Sequence, residues 1–109
     1  MKLDKSIELV AIGQKNLVGA VNSPVRAFQS VGGAPIFIDH ANKSHIYDVD
    51  GNKYLDMVLS YGPMILGHRH PKVEKSIKKA LKKGYSFGAS TYREIILAEM
   101  ICEGFTVFD

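Results

Sequence analysis

The sequence predicts an α+β fold: an N-terminal helix, a three-stranded antiparallel meander and two further helices. Three observations carry this. Apolar residues recur at helical spacing near residues 3–11, 73–81 and 96–101. Between the first two stretches lie three short β-prone runs, at 35–39, 44–49 and 53–57, separated by Asn42-Lys43 and Asp50-Gly51-Asn52. The helix ends also carry their own signals, with Pro71 at a start, Gly84 past an end and Thr91 three residues before Glu94.

Taken in order, residues 3 to about 14 read as a helix whose apolar face is Leu3, Ile7, Val10 and Ala11. Gly13 and Gly19 mark its end. Residues 21–28 have no clean period, and Pro24 biases Ser23 toward an extended backbone, so an extended segment or loop is expected there until Gly32-Gly33. The three β runs follow with tight connections, and their small sheet needs a helix or another sheet over one face to be stable. An apolar, glycine-punctuated stretch, 57–67, then leads into the second helix, 71–83. Val73, Ile77, Ala80 and Leu81 line one side of it and six lysines take most of the rest. The third helix starts near Thr91 in a capping box, with Ile96 and Met100, then Leu97 and Ile101, paired along its buried side.

At 109 residues the chain suits one small domain and is too short for two. An apolar fraction of 46% with 23% charged residues is that of a soluble globular protein, and a net charge of +3 is too mild to imply nucleic acid. One cysteine excludes an internal disulfide framework, no run is long and apolar enough for a membrane helix, and the first ten residues do not form a signal peptide. The expectation is a cytoplasmic protein with no membrane and no nucleic-acid partner. Its three amphipathic helices and small meander need more core than the chain supplies, with Phe105, Val107 and Phe108 left at the end, so an obligate oligomer or a piece of something larger is expected.

Several residue groups invite chemistry. His68-Arg69-His70 places two imidazoles close together, but the other possible ligands, His40, His45 and Cys102, do not form a second pair at metal-site spacing. Asp48, Asp50, Asn52 and Asp56 suggest a calcium loop until the glycine is counted: it falls at the wrong position for an EF-hand. The lysine-rich helix reads as a solvated outer face rather than a phosphate or membrane surface, because its apolar side carries no aromatic residue. Cys102, among apolar residues, reads as a packed thiol.

Arg26 stands out as one of three arginines, in an apolar context on an expected loop. Its guanidinium could fork onto a carboxylate or phosphate, or form an ion pair that holds the loop; pattern alone leaves both open. Ser60-Tyr61-Gly62-Pro63 likewise suits either a ligand wall or plain packing.

The stretches VNSPVRAF (21–28), VGGAPIFI (31–38), YDVDGNKYLD (47–56), YGPMILGHRHPKV (61–73) and SFGAST (86–91) together resemble the N-terminal portion of the glutamate-1-semialdehyde 2,1-aminomutase family, pyridoxal-phosphate enzymes of tetrapyrrole (porphyrin) synthesis related to the class III aminotransferases. The resemblance covers roughly residues 17–103. It implies a type I pyridoxal-phosphate transferase fold, to whose smaller domain these elements belong. It also implies substrate-binding roles for Arg26, which would hold the substrate carboxylate, for Ser23 beside it, and for Tyr61, where many members carry Trp. The implied reaction converts glutamate-1-semialdehyde to 5-aminolevulinate in a homodimer, with pyridoxal phosphate in its pyridoxamine form as cofactor. Val18 and Ala20 depart from the Pro and Gly usual in the family, and residues 104–109 depart altogether. The family's phosphate-binding loop, its aspartate for the pyridine nitrogen and its Schiff-base lysine have no counterpart here, and pyridoxal-phosphate chemistry needs that lysine. The expectation is therefore an incomplete N-terminal segment over residues 1–109, as a gene fragment or frameshift would leave. Alone it would be catalytically inactive and hold no cofactor. The alternatives are a non-catalytic remnant and a small basic-helix binding module.

Overall fold

The first helix, α1 (Asp4–Gly13), starts on a residue that cannot cap it, because Leu3 has no side-chain acceptor. The acceptor comes from 45 residues away. In this computed structural model, which describes residues 1–105, the Asp50 carboxylate accepts the Lys5 amide at 2.8 Å, the Ser6 amide at 2.9 Å and the Ser6 hydroxyl at 2.7 Å. Those are the second and third amides of the helix, the pair an N-cap side chain would normally serve, and a carboxylate is also favoured there by the helix dipole.

This tie sets which face of α1 turns inward. Ser6 is 0% exposed, whereas Ile7, on the expected apolar face, is 56% exposed and Ala11 is exposed too. Leu3, Leu9, Val10 and Gly13 are half-buried, so the inward stripe is rotated from the one that hydropathy alone suggests. Gly13 ends the helix against Ala20, where an added Cβ would come within 3.0 Å of the alanine methyl. The chain then makes two 3₁₀ turns, Val18–Ala20 and Pro24–Ala27, the second within the 21–28 stretch where an extended segment or loop was expected. Ser23 is extended, as the following proline requires, but Pro24 also has the φ that opens a helical turn, and Phe28 closes it in the left-handed region.

Three strands follow, β1 (Ile38–Asn42), β2 (His45–Asp48) and β3 (Lys53–Leu55), antiparallel and in the order β1-β2-β3. The meander is as expected, while β1 begins three residues late, at Ile38. A bulge between Ile38 and His40 shifts its register against β2. His40 stacks on Tyr47 across the pair with ring centroids 4.5 Å apart.

The β2–β3 connection is built around Asp48, which is 3% exposed. Its carboxylate accepts the amides of Asp50 at 3.0 Å and Asn52 at 2.7 Å, the Asn52 side-chain amide at 2.7 Å and the Tyr54 hydroxyl at 2.6 Å. Burial opposes its ionisation, but these donors outweigh that cost and hold its carboxyl below the usual carboxylate range. Gly51 supplies the positive φ of the turn. So the acid-rich turn is consumed by protein donors.

The chain divides into two units, Met1–Glu74 and Lys75–Asp109. In the first, the buried apolar residues are Ala20 and Pro35. Helix α2 (Pro71–Leu81) starts on its proline, and Gly84 beyond its end is left-handed. Helix α3 (Tyr92–Gly104) carries the expected capping box between Thr91 and Glu94. Ile96, Leu97, Met100 and Ile101 of α3 are exposed rather than buried, as are Val73, Ile77 and Leu81 of α2. Cys102 is exposed and not packed. The helical period is right in each case, but no element among the described residues covers those faces. Val107 and Phe108 lie outside the described residues. No helix among them is long and apolar enough to cross a membrane.

Two expectations follow. Replacing Asp50 with Ala leaves the first amides of α1 without an acceptor, so hydrogen exchange across that helix should accelerate about fivefold or more while the β2–β3 amides stay protected, since an N-cap loss is typically worth that factor. The hydrogen bond to Asp48, assisted by burial, pushes the Tyr54 hydroxyl up to about 12. A raised folded value means this bond stabilises the fold fully below the ordinary tyrosine value, about 10, and is lost as pH rises through about 12. Phenolate absorbance should show Tyr54 titrating late, and Asp48→Asn should return it toward the ordinary value.

Candidate functional site

Arg26 sits in the second 3₁₀ turn, which the Ser23 carbonyl closes by accepting the Arg26 amide at 3.0 Å. The guanidinium donates through Nη1 to the Asn22 carbonyl oxygen at 2.8 Å. Among the described residues it forms no ion pair, so the loop-holding salt bridge that the sequence left open is not what Arg26 does here. Instead it borders a cavity of about 460 Å³, lined with Leu17, Ala20, Val21, Ile36 and Phe37. Asn22 and Arg26 are the polar side chains of that wall. A forked cation beside apolar side chains, with one nitrogen steadied and no carboxylate on the rest among the described residues, suits an anionic group on a small molecule.

Ser23 and Arg26 are therefore placed together by one turn. Ser23 is half-buried, extended, and does not line the cavity. Tyr61 belongs to a different loop and does not line it either. The residue is 73% exposed, so packing against the described residues does not account for its place.

The Tyr61 loop has an unusual backbone. Leu59, Ser60 and Tyr61 all have positive φ, at 50°, 53° and 63°, and Gly62 follows at 120°. Left-handed backbone costs an L-residue roughly 1–2 kcal/mol, so three in succession need support from their surroundings. Asp56 provides it, accepting the amides of Val58 at 2.9 Å and Leu59 at 3.1 Å through Oδ1. Its Oδ2 lies 2.6 Å from His68 Nε2 at the other end of the loop. The His68 bond, with the two amides, holds the Asp56 carboxyl below its usual range even though only 9% of the residue is exposed. At 2.9 and 2.7 Å, a pair of backbone bonds between Lys43 and His68 pins that end to the β1–β2 turn. Gly67 allows this approach, since a Cβ there would lie 2.8 Å from the Lys43 carbonyl oxygen.

Asp56, His68 and Asn22 were not marked as a set by the sequence. Asp56 and His68 are twelve residues apart, and neither belongs to a local pattern that announces a clamp. His68, one of the two imidazoles that the sequence places close together, is engaged by Asp56. No group of three His, Cys, Asp or Glu side chains among the described residues could hold a metal ion.

The cofactor implied by the resemblance is a separate matter. Pyridoxal phosphate needs an anchoring lysine and a buried carboxylate for its pyridine nitrogen. All eleven lysines of this chain are exposed. The buried carboxylates, Asp48 and Asp56, already accept bonds from protein donors. The described residues do not fit the cofactor by themselves.

Comparisons with known proteins agree with one another. The chain is 54% identical over 103 residues to the glutamate-1-semialdehyde 2,1-aminomutase of Syntrophomonas wolfei subsp. wolfei, covering 94% of this chain and 24% of that protein. The enzyme of the same name from Thermodesulfovibrio yellowstonii is 55% identical over 105 residues, covering 96% and 25%. A solved transaminase with PLP bound matches at a TM-score of 0.87 with 28% identity, over 100% of this chain and 25% of that one. The chain thus spans about a quarter of the length of the curated relatives it matches. Its residues 28–106 match the aminotransferase class-III profile, which includes the meander, the Tyr61 loop and both later helices. The chain belongs to the class III aminotransferase family.

Proposed function

We propose that this chain is the N-terminal, substrate-recognising part of a glutamate-1-semialdehyde 2,1-aminomutase, the enzyme that moves an amino group between neighbouring carbons to make 5-aminolevulinate for tetrapyrrole synthesis. The observation that carries this reading is Arg26, a cation with no carboxylate partner among the described residues, beside an apolar cavity, in a chain 54% identical over 94% of its length to such an enzyme. Arg26 takes the substrate carboxylate, steadied through Asn22, while Ser23 stands at the start of the same turn. Tyr61 forms a second wall from its own loop. Asn22 therefore joins the three residues that the resemblance names.

Pyridoxal phosphate, as pyridoxamine phosphate, supplies the amino-group chemistry in the complete enzyme. No residue described here fits its anchor, so this chain alone is inactive, and the complete enzyme is a homodimer of full-length subunits. The single cysteine and ordinary composition support a cytoplasmic location without membrane or nucleic-acid partners. The six lysines of the 71–83 stretch are all exposed, which supports a solvated face.

Residues 1–103 joined to the remaining three-quarters of the Syntrophomonas wolfei enzyme should yield 5-aminolevulinate from glutamate-1-semialdehyde. In that chimera, Arg26→Ala should raise KM by about 10- to 100-fold, the value of a hydrogen-bonded charge pair, with Arg26→Lys recovering part of it. An unchanged KM would remove Arg26 from the site. Borohydride trapping of the chain alone with pyridoxal phosphate should give no stoichiometric, site-specific adduct. Such an adduct would overturn its inactivity.

A further inference from the structure

We propose that Asp56 and His68 are positioning residues for Tyr61, a buried clamp that holds the loop between them in the left-handed form that turns Tyr61 outward. The observation is a closed circuit of bonds. Asp56 begins the loop with its amide on the Ser44 carbonyl at 2.8 Å, and His68 ends it with the paired backbone bonds to Lys43. Both ends therefore rest on one turn of the sheet. Their side chains then meet at 2.6 Å, with side-chain exposures of 6% for Asp56 and 14% for His68.

The remaining carboxylate oxygen reaches into the loop. By accepting the Val58 and Leu59 amides, it fixes the chain direction at the entry to the three positive-φ residues, of which Leu59 is the first. The Tyr61 amide donates to the Val58 carbonyl at 3.0 Å, so the segment that Asp56 orients also carries Tyr61. Without the clamp, Leu59, Ser60 and Tyr61 keep only the loop's own backbone bonds, from the Tyr61, Gly62 and Met64 amides, against a backbone that each of them disfavours. They would relax to negative φ and Tyr61 would swing away. A residue that sets a reacting geometry in this way acts on turnover, because a misplacement of about 1 Å costs on the order of 100-fold in rate.

The catalytic part of this inference rests on the reading of Tyr61 as a wall of the substrate site; the clamp itself does not. Two experiments keep them apart. In the isolated chain, NMR couplings that report the sign of φ at residues 59–61 should show positive values. Asp56→Ala and His68→Ala should lose them while the β1–β3 amide shifts stay in place. His68→Gln, whose amide nitrogen reaches the position of Nε2, should keep them, and His68→Asn, whose nitrogen falls near Nδ1, should not. Positive φ retained in Asp56→Ala, or Gln and Asn behaving alike, would overturn the clamp, and the Gln–Asn comparison decides even where alanine unfolds the chain.

In the chimeric enzyme, His68→Ala should lower kcat by about 10- to 100-fold with KM within about twofold, and His68→Gln should restore most of it. A normal kcat in His68→Ala would overturn the positioning role. If the couplings respond to the clamp while Arg26→Ala leaves KM untouched, the substrate reading fails and the clamp stands.

Discussion

The first unit of this chain depends on two carboxylates placed two residues apart and facing different ways. Asp48 turns into the hairpin and satisfies its amides, its asparagine and its tyrosine. Asp50 turns out and supplies the acceptor that α1 lacks. Strand alternation does not place them so; the turn does, because Gly51 lets the chain reverse between them and Asn52. With little apolar core in this unit, directed hydrogen bonds do much of what packing does in larger domains. Both carboxylates are held below the usual range, so the set is intact at neutral pH and is lost as pH falls through their depressed values.

The same economy governs the site. Asp56 is to the Tyr61 loop what Asp48 is to the hairpin, a buried carboxylate whose donors are amides of the turn it opens. The sheet contributes one apolar side chain, Ile38 at the start of β1, to the wall of the Arg26 cavity. It offers its β1–β2 turn as the fixed point on which the loop ends rest, while the Arg26 turn is held by proline and by Asn22. Rigid placement of a few polar groups beside an apolar cavity is what recognition of a small anion needs.

Much of this was legible because it is local. The meander follows from turn residues a few positions from the strands they join, and the ends of α2 and α3 follow from Pro71, Gly84, Thr91 and Glu94. The inward face of α1 was not legible, since the partner that sets it is Asp50, far along the chain, and no helical period carries that information. The clamp of Asp56 and His68 was hidden for the same reason. The pattern of α3 predicts a buried stripe that is exposed here: periodicity says a face is apolar, but not which chain segment covers it. Arg26 was legible as a residue out of keeping with its neighbours, while its bond to Asn22 and its lack of an ion pair among the described residues are seen only in the structure.

The anchoring of both loop ends to Lys43 and Ser44 has a consequence for how such an enzyme can change. Everything between Asp56 and His68 enters and leaves the sheet at one place, so the intervening residues form a cassette whose length and content are uncoupled from strand register. Replacing Tyr61, or lengthening the apolar stretch after Gly62, alters what the loop presents without asking β1, β2 or β3 to move. Selection acting on specificity in this part of the family therefore has a place to work that does not put the fold at risk.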